Sequence, residues 1–319
     1  MRGFPLLETP TRTTAPAHAA VLSDEAGIRQ GRHDPTDGTL RLSDGRRLGY
    51  RVHGPSDGRP VLFFHGLGTS RVICPTDDAL AEQLGMRLIA VDRPGIGLSD
   101  RLPGRRLLDW PADIAHLADA LGLDDMSIVG WSGGGPYAAA CAYRLPERVR
   151  SVALVSAPTP LTGLARPDFL RRFHRTAAQA AGRAPWMIRL AMWHWGRPQR
   201  RNAELHFDRS FAEMCHADQQ VLAQPGVRRQ MIDNSAELYR QGGRGMYDEA
   251  LVLARPWGFD PRHIRVPVAI WHGETDDTVP VEMARHMARL LPDCRATYLP
   301  DEGHHLLYRR WPEILASLA

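Results

Sequence analysis

The sequence predicts an α/β fold, a mostly parallel central sheet with helices on both faces. Short continuous apolar runs recur at Val61 to Phe64, Arg87 to Val91, Met126 to Val129, Val152 to Val155, Val268 to Trp271 and, more weakly, Ala296 to Leu299. Runs of that length suit strands buried on both sides of a sheet. Helical patterns fall between them, which implies right-handed β-α-β crossovers. In the passage Ile128-Val129-Gly130-Trp131-Ser132-Gly133-Gly134-Gly135, a strand signal ends on a glycine-flanked serine, and an alanine-rich helical segment, Pro136 to Tyr143, follows at once.

Taken in order, residues 1–35 are rich in Pro, Thr, Ala and charge without periodicity and are expected to form a loose arm. Regular structure is expected from near Thr39. Leu40-Arg41-Leu42 alternates, Ser43 to Arg46 is a turn signal, and Leu48 to Val52 alternates again, as in a β-hairpin. Asp109 is placed to cap a helix whose apolar stripe is Trp110, Ile114, Leu117 and Leu121, with Asp113 in its first turn. Met283, Met287 and Leu290 form a similar stripe after Pro280, and Pro312 can open a last helix through Ile314 and Leu315. Between about Pro160 and His263 the alternation breaks. Helical runs there carry Trp186, Trp193, Trp195, Phe207, Phe211 and Trp257 among many arginines. The expected organisation is an α/β core over 36–160 and 263–319, with 161–262 as a helical insertion between consecutive sheet strands. At the carboxyl edge of the sheet it would cover a ligand site.

Composition narrows the function classes. The 319 residues contain no lysine, so all 40 basic residues are arginine. That excludes a Schiff-base lysine and a Walker-type phosphate loop. The net charge of +4 is spread along the chain, although Arg171-Arg172 and Arg200-Arg201 lie in the middle. Without a clustered basic face interleaved with aromatics, no nucleic-acid partner is expected. No apolar run is long enough to span a membrane, and Phe4-Pro5-Leu6-Leu7 is too short for a signal-peptide core, so the cytoplasm is the expected location. Cys74, Cys141, Cys215 and Cys294 are scattered and read as reduced packing thiols. Oligomeric state is not legible.

The chemistry centres on Ser132. G-x-S-x-G between strand and helix is the context of a nucleophile elbow, with the next backbone N–H aimed at an oxyanion. Its glycines avoid a Cβ collision in so sharp a turn. A serine hydroxyl needs a neighbouring base. The strand at Val268–Trp271 runs into a loop with His272, Glu274, Asp276 and Asp277, and the strand near Leu299 runs into Glu302-Gly303-His304-His305. A carboxylate there would orient the imidazole, and the imidazole would shuttle the serine proton.

Four separated motifs occur in order: His65-Gly66-Leu67-Gly68, Asp92-Arg93-Pro94-Gly95-Ile96-Gly97-Leu98-Ser99, the elbow around Ser132, and Gly273-x-x-Asp276-x-x-Val279-Pro280 with Gly303-His304. On these the chain resembles the α/β-hydrolase superfamily from about Thr39 onward, as a serine hydrolase whose insertion is a helical cap. The resemblance implies a catalytic Ser132, Asp276 and His304, with Asp277 the rival acid and His305 the rival base. It implies backbone oxyanion donors at Leu67 and Gly133. It makes Glu274 a solvent-facing carboxylate, His65 a loop-shaping residue, Asp92 and Arg93 ties behind the elbow, and His263 and His272 structural. A serine nucleophile argues against the haloalkane dehalogenase and epoxide hydrolase branches, which use aspartate. The expected function is hydrolysis of a small or medium apolar carboxylic ester through an acyl-enzyme, with a small-molecule substrate and no metal or organic cofactor. Cap tryptophans would line the acyl pocket or pack cap helices together. A carbon–carbon bond hydrolase or haloperoxidase-like perhydrolase would use the same triad, and a low-turnover binding protein would not need it.

Overall fold

The computed structural model describes residues 36–75, 78–161, 179 and 181–318. The arm expected over 1–35, and residues 162–178 with Arg171 and Arg172, lie outside them. The hairpin forms as expected, somewhat longer: β1 (Thr36–Arg41) pairs antiparallel with β2 (Arg47–His53), and the Leu42 N–H closes the turn on the Arg46 carbonyl at 2.7 Å.

The remaining strands are β3 (Arg59–Phe64), β4 (Met86–Val91), β5 (Met126–Trp131), β6 (Val149–Val155), β7 (Val268–Gly273) and β8 (Cys294–Leu299). Each apolar run of the sequence falls in one of them. All lie in one eight-stranded sheet of order β1-β2-β4-β3-β5-β6-β7-β8. β2 is antiparallel to β4, and the later neighbours are parallel. Side chains alternate across the pleat, so Leu62 and Phe64 enter one core layer while Val61 and Phe63 enter the other. β8 is an edge strand with only partly buried side chains, which is why its sequence signal is weak.

The described helices are α1 (Asp78–Gln83), α2 (Trp110–Ala120), α3 (Gly135–Arg144), α4 (Pro185–Arg201), α5 (Ala203–Ala212), α6 (His216–Leu222), α7 (Pro225–Leu238), α8 (Arg244–Ala254), α9 (Val281–Leu290) and α10 (Trp311–Ala316). None is long and apolar enough to cross a membrane. One core layer is completed by Trp110, Ile114 and Leu117 of α2, Tyr137 and Cys141 of α3, and Ala284 and Met287 of α9. Ala81 of α1 and Trp311, Ile314 and Leu315 of α10 complete the other. Edge-on ring pairs anchor each side, Phe64 with Trp110 at 5.4 Å and Phe63 with Trp311 at 5.8 Å. Such pairs contribute about 1 kcal/mol beyond their burial.

Two local expectations are met only in part. Asp109 takes the N-cap position of α2, but its side chain makes no capping hydrogen bond: its backbone is already helical, and its carboxylate accepts the Arg106 N–H at 2.7 Å. It closes the preceding 3₁₀ turn, Leu107–Asp109, which satisfies the carboxylate before the helix begins. Trp257, within the stretch expected as the insertion, packs into the main core beside the sheet.

Helices α4 to α8 all lie between β6 and β7, and the described residues of that insertion contain no strand. Sheet order reverses at β3, with β4 on one flank and β5 on the other. The crevice outside the carboxyl ends of strands at such a reversal is where open α/β sheets bind ligands. The loop after β3 and the turn after β5 open there, and the loops after β7 and β8 leave the same edge.

Candidate active site

At the end of β5, Ser132 sits at φ 50°, in the left-handed region, half-buried between the strand and α3. A non-glycine residue there stores about 1–3 kcal/mol of strain, held by the surrounding packing. The turn is that tight because it presses against β3. A Cβ on Gly134 would stand 2.0 Å from the Phe64 carbonyl oxygen, so only glycine fits. The sharp turn leaves the Ser132 hydroxyl turned toward the loop after β8.

There the sequence candidates meet. His304 Nε2 lies 2.9 Å from Ser132 Oγ, and its Nδ1 lies 2.8 Å from Asp276 Oδ2. Asp276 is fixed in turn: its Oδ1 accepts the N–H groups of Thr278 at 2.9 Å and Val279 at 2.8 Å. Its buried carboxylate can accept but not donate, so the hydrogen on His304 belongs on Nδ1, and Nε2 is left free to accept the serine proton. Burial alone would lower the His304 pKa. The charge and hydrogen bond of Asp276, with Asp218 and Asp277 behind it, outweigh burial and raise the pKa above the ordinary 6.5.

The rivals go elsewhere. Asp277 is exposed and accepts the Cys215 N–H at 3.0 Å, and Glu274 pairs with Arg285 near the surface. His305 packs against Trp131 and takes no part in the chain of bonds to Ser132. His272 is buried beside the acid. Its Nε2 donates to the Val279 carbonyl at 2.8 Å and stands 3.4 Å from Asp276 Oδ2, and desolvation lowers its pKa. A neutral His272 adds no second positive charge next to His304.

Leu67 N would stand 2.8 Å from a Cβ on Gly133, so the two expected oxyanion donors border one small space. The Leu67 N–H has no acceptor among the described residues. Arg93 holds this loop from behind, donating to the His65 carbonyl and, at 3.0 Å, to the Gly66 carbonyl. His65 donates from Nδ1 to the Gly66 carbonyl at 2.9 Å and accepts the Arg93 N–H on Nε2 at 3.3 Å. Burial and the neighbouring Arg93 keep its pKa well down, so it is neutral and shapes the loop. Asp92 likewise ties the Arg71 N–H at 2.8 Å and the Leu98 N–H at 3.0 Å.

Sequence reasoning missed the polar contacts that the insertion makes with the loops of the site. Glu249 of α8 pairs with both Arg93 and Arg105, Asn234 of α7 donates to the Gly68 carbonyl at 3.2 Å, and Asp218 of α6 reaches the His304 loop. No local pattern marks these residues, since each acts through a contact very distant in sequence. Trp195 approaches Gly68, and Leu253 comes within 3.1 Å of a Cβ position on Gly133, giving the space near Ser132 an apolar border. Trp186, Trp193 and Trp195 are 64%, 50% and 42% exposed, and Trp195 of α4 meets His206 of α5 edge-on at 6.1 Å. Cys215, Asp218 and Asp277 bring potential metal-ligand atoms within 4.8 Å of one another. Both Asp218 oxygens and the Asp277 carboxylate already accept backbone N–H groups, which accounts for the cluster without an ion.

Comparison with known proteins agrees with this architecture. Residues 59–309 match the family described as alpha/beta hydrolase fold. The chain is 32% identical over 289 residues to a non-heme chloroperoxidase of Streptomyces lividans, covering 87% of this chain and 96% of that protein. It is 27% identical to a putative carbamate hydrolase of Azorhizobium caulinodans, over 85% of this chain and 92% of that one. Among solved structures it is similar to a bromoperoxidase from Bacillus anthracis, with a TM-score of 0.67 at 20% identity, covering 89% of this chain and 99% of the other.

Proposed function

The chain belongs to the α/β-hydrolase fold family, and from that premise we propose that it is a serine hydrolase cleaving small or medium apolar carboxylic esters through an acyl-enzyme. The observation that carries the proposal is the unbroken hydrogen-bond chain Ser132 Oγ, His304, Asp276, at 2.9 Å and 2.8 Å. In the proposed mechanism His304 Nε2 takes the Ser132 proton as Oγ attacks the ester carbonyl, and Asp276 stabilises the imidazolium that forms. The N–H groups of Leu67 and Gly133 hold the negative oxygen of the tetrahedral intermediate, where one such donor contributes roughly 3 kcal/mol. His304 then returns the proton to the leaving alcohol. Water, deprotonated by the same imidazole, attacks the acyl carbonyl and regenerates Ser132.

Residues 161–262 act in this reading as the cap over a core of 36–160 and 263–319. The apolar edge formed by Leu67, Leu253 and Trp195 supports a hydrophobic acyl group. The reading takes a small-molecule substrate, needs neither cofactor nor metal, and involves no nucleic acid or membrane. The four free cysteines fit the reducing cytoplasm.

The test is incubation with aryl esters of graded chain length and with a fluorophosphonate. Ester turnover and stoichiometric labelling of Ser132 are expected, and Ser132→Ala should abolish labelling and lower turnover by about 10⁴ to 10⁶. A wild-type protein that releases no aryl alcohol and takes up no label would end the proposal. Similarity to the Streptomyces lividans chloroperoxidase favours a second reading, perhydrolysis, in which hydrogen peroxide replaces water on the acyl-enzyme. Peracid formation from a short carboxylate and peroxide, outpacing ester hydrolysis, would favour it.

A further inference from the structure

Every polar atom of His304 is bound, and one partner comes from outside the α/β core. The ring meets Ser132 and Asp276, and the His304 carbonyl accepts the Trp131 indole N–H at 3.1 Å. The backbone N–H donates to Asp218 Oδ2 at 3.0 Å, and the next N–H, of His305, donates to Asp218 Oδ1 at 2.8 Å. Asp218 lies in the first turn of α6, in the cap insertion, and is 1% exposed. Its seat is built for it: a Cβ on Gly303 would stand 2.5 Å from Asp218 Oδ1, so the residue preceding His304 must be glycine for the carboxylate to come so close. Beside it the Cys215 N–H rests on Asp277.

We propose that Asp218 is a positioning residue, a carboxylate supplied by the cap that clamps the His304-His305 backbone and so holds the His304 ring in register with Ser132 and Asp276. The clamp makes the docked cap part of the proton-shuttling unit as well as a cover for the substrate. It rests on reading His304 as the base. Two charge-assisted bonds from adjacent N–H groups to one buried carboxylate form a bidentate grip with little angular freedom. Burial by itself would raise the Asp218 pKa, but the neighbouring His305, whose Nδ1 stands 3.3 Å away, outweighs that and holds it at about 2. The clamp is therefore ionised throughout the neutral range.

The groups facing the His304 imidazole are Asp276 and Asp277 from the loop after β7, His272 from β7, His305 beside it and Asp218 from α6. Removing the Asp218 charge should weaken the imidazolium as well as loosen the backbone. Asp218→Asn keeps the size and one acceptor, but its amide then faces a second N–H that it cannot satisfy. For this variant we expect kcat on an aryl ester to fall about tenfold with KM within about twofold. The His304 titration, followed by ¹H–¹⁵N correlation spectra of the ring, should move down by about one pH unit. Should Asp218→Asn fail to fold, Asp218→Ser, which removes the charge with a smaller polar side chain, is measured in the same way. An unchanged kcat and an unmoved titration, or a loss confined to KM, would overturn the proposal. Because the ring titration needs no substrate, it decides the role of Asp218 even if the wild-type protein hydrolyses no ester.

Discussion

Replacing Asp276 by Asn tests the orientation of the imidazole most directly, because the outcome follows from hydrogen-bond bookkeeping. Asp276 Oδ1 accepts two backbone N–H groups, from Thr278 and Val279, and only the Asn carbonyl can take that place. The Asn amide is thereby forced into the position of Oδ2, 2.8 Å from His304 Nδ1. An N–H facing Nδ1 makes that nitrogen the acceptor and moves the ring proton to Nε2, where it points at Ser132 Oγ and cannot receive its hydrogen. The base is lost while the loop is kept. On the proposed mechanism, loss of the correct tautomer should lower kcat by about 10⁴, or about 5.5 kcal/mol of barrier. Asp277→Asn is the control: its exposed carboxylate accepts one N–H, from Cys215, and an Asn carbonyl can do the same. That change should stay within about 0.5 kcal/mol, roughly twofold. Steady-state hydrolysis of an aryl ester, with thermal melts showing both variants folded, is the assay. A larger loss at Asp277, or an Asp276→Asn enzyme keeping more than about a tenth of wild-type kcat, would rule out Asp276 as the residue that sets the ring tautomer.

Turnover should rise with pH through the His304 ionisation, since only the neutral ring accepts the serine proton, and the midpoint of kcat/KM should lie above 6.5. The same raised pKa acts oppositely on stability: its contribution is complete below the unfolded value and is lost as pH climbs through the folded one, which melts across pH 5 to 9 would reveal. Gly134→Ala should prevent folding or cost more than about 3 kcal/mol, because the new Cβ would stand 2.0 Å from the Phe64 carbonyl oxygen. A soluble Gly134→Ala protein with an unchanged melting temperature would contradict the packing described for the elbow.

What could be read in advance was the part governed by short-range rules. Double-sided burial forces unbroken apolar runs, so β3, β4, β5, β6 and β7 announce themselves in the sequence. A sharp strand-to-helix turn demands glycines, so Ser132 is conspicuous. Resemblance to the family then separated Asp276 from Asp277 and His304 from His305, which the residues alone had left open. Asp109 misled because it is at once the N-cap of α2 and the last residue of a 3₁₀ turn, and its carboxylate serves the turn.

Chain order alone specified the sheet, its helical layers, the elbow and the short set of candidate site residues, because strand burial and turn sterics act over a few neighbouring residues. How the insertion joins the site emerges from the folded chain alone. Asp218 on the His304 backbone and Glu249 behind the Arg93 that steadies the Leu67 loop are single carboxylates on helices with no distinguishing periodicity. Their meaning lies in the opposite partner of a long-range hydrogen bond, and chain order does not record which distant backbone an acceptor will meet.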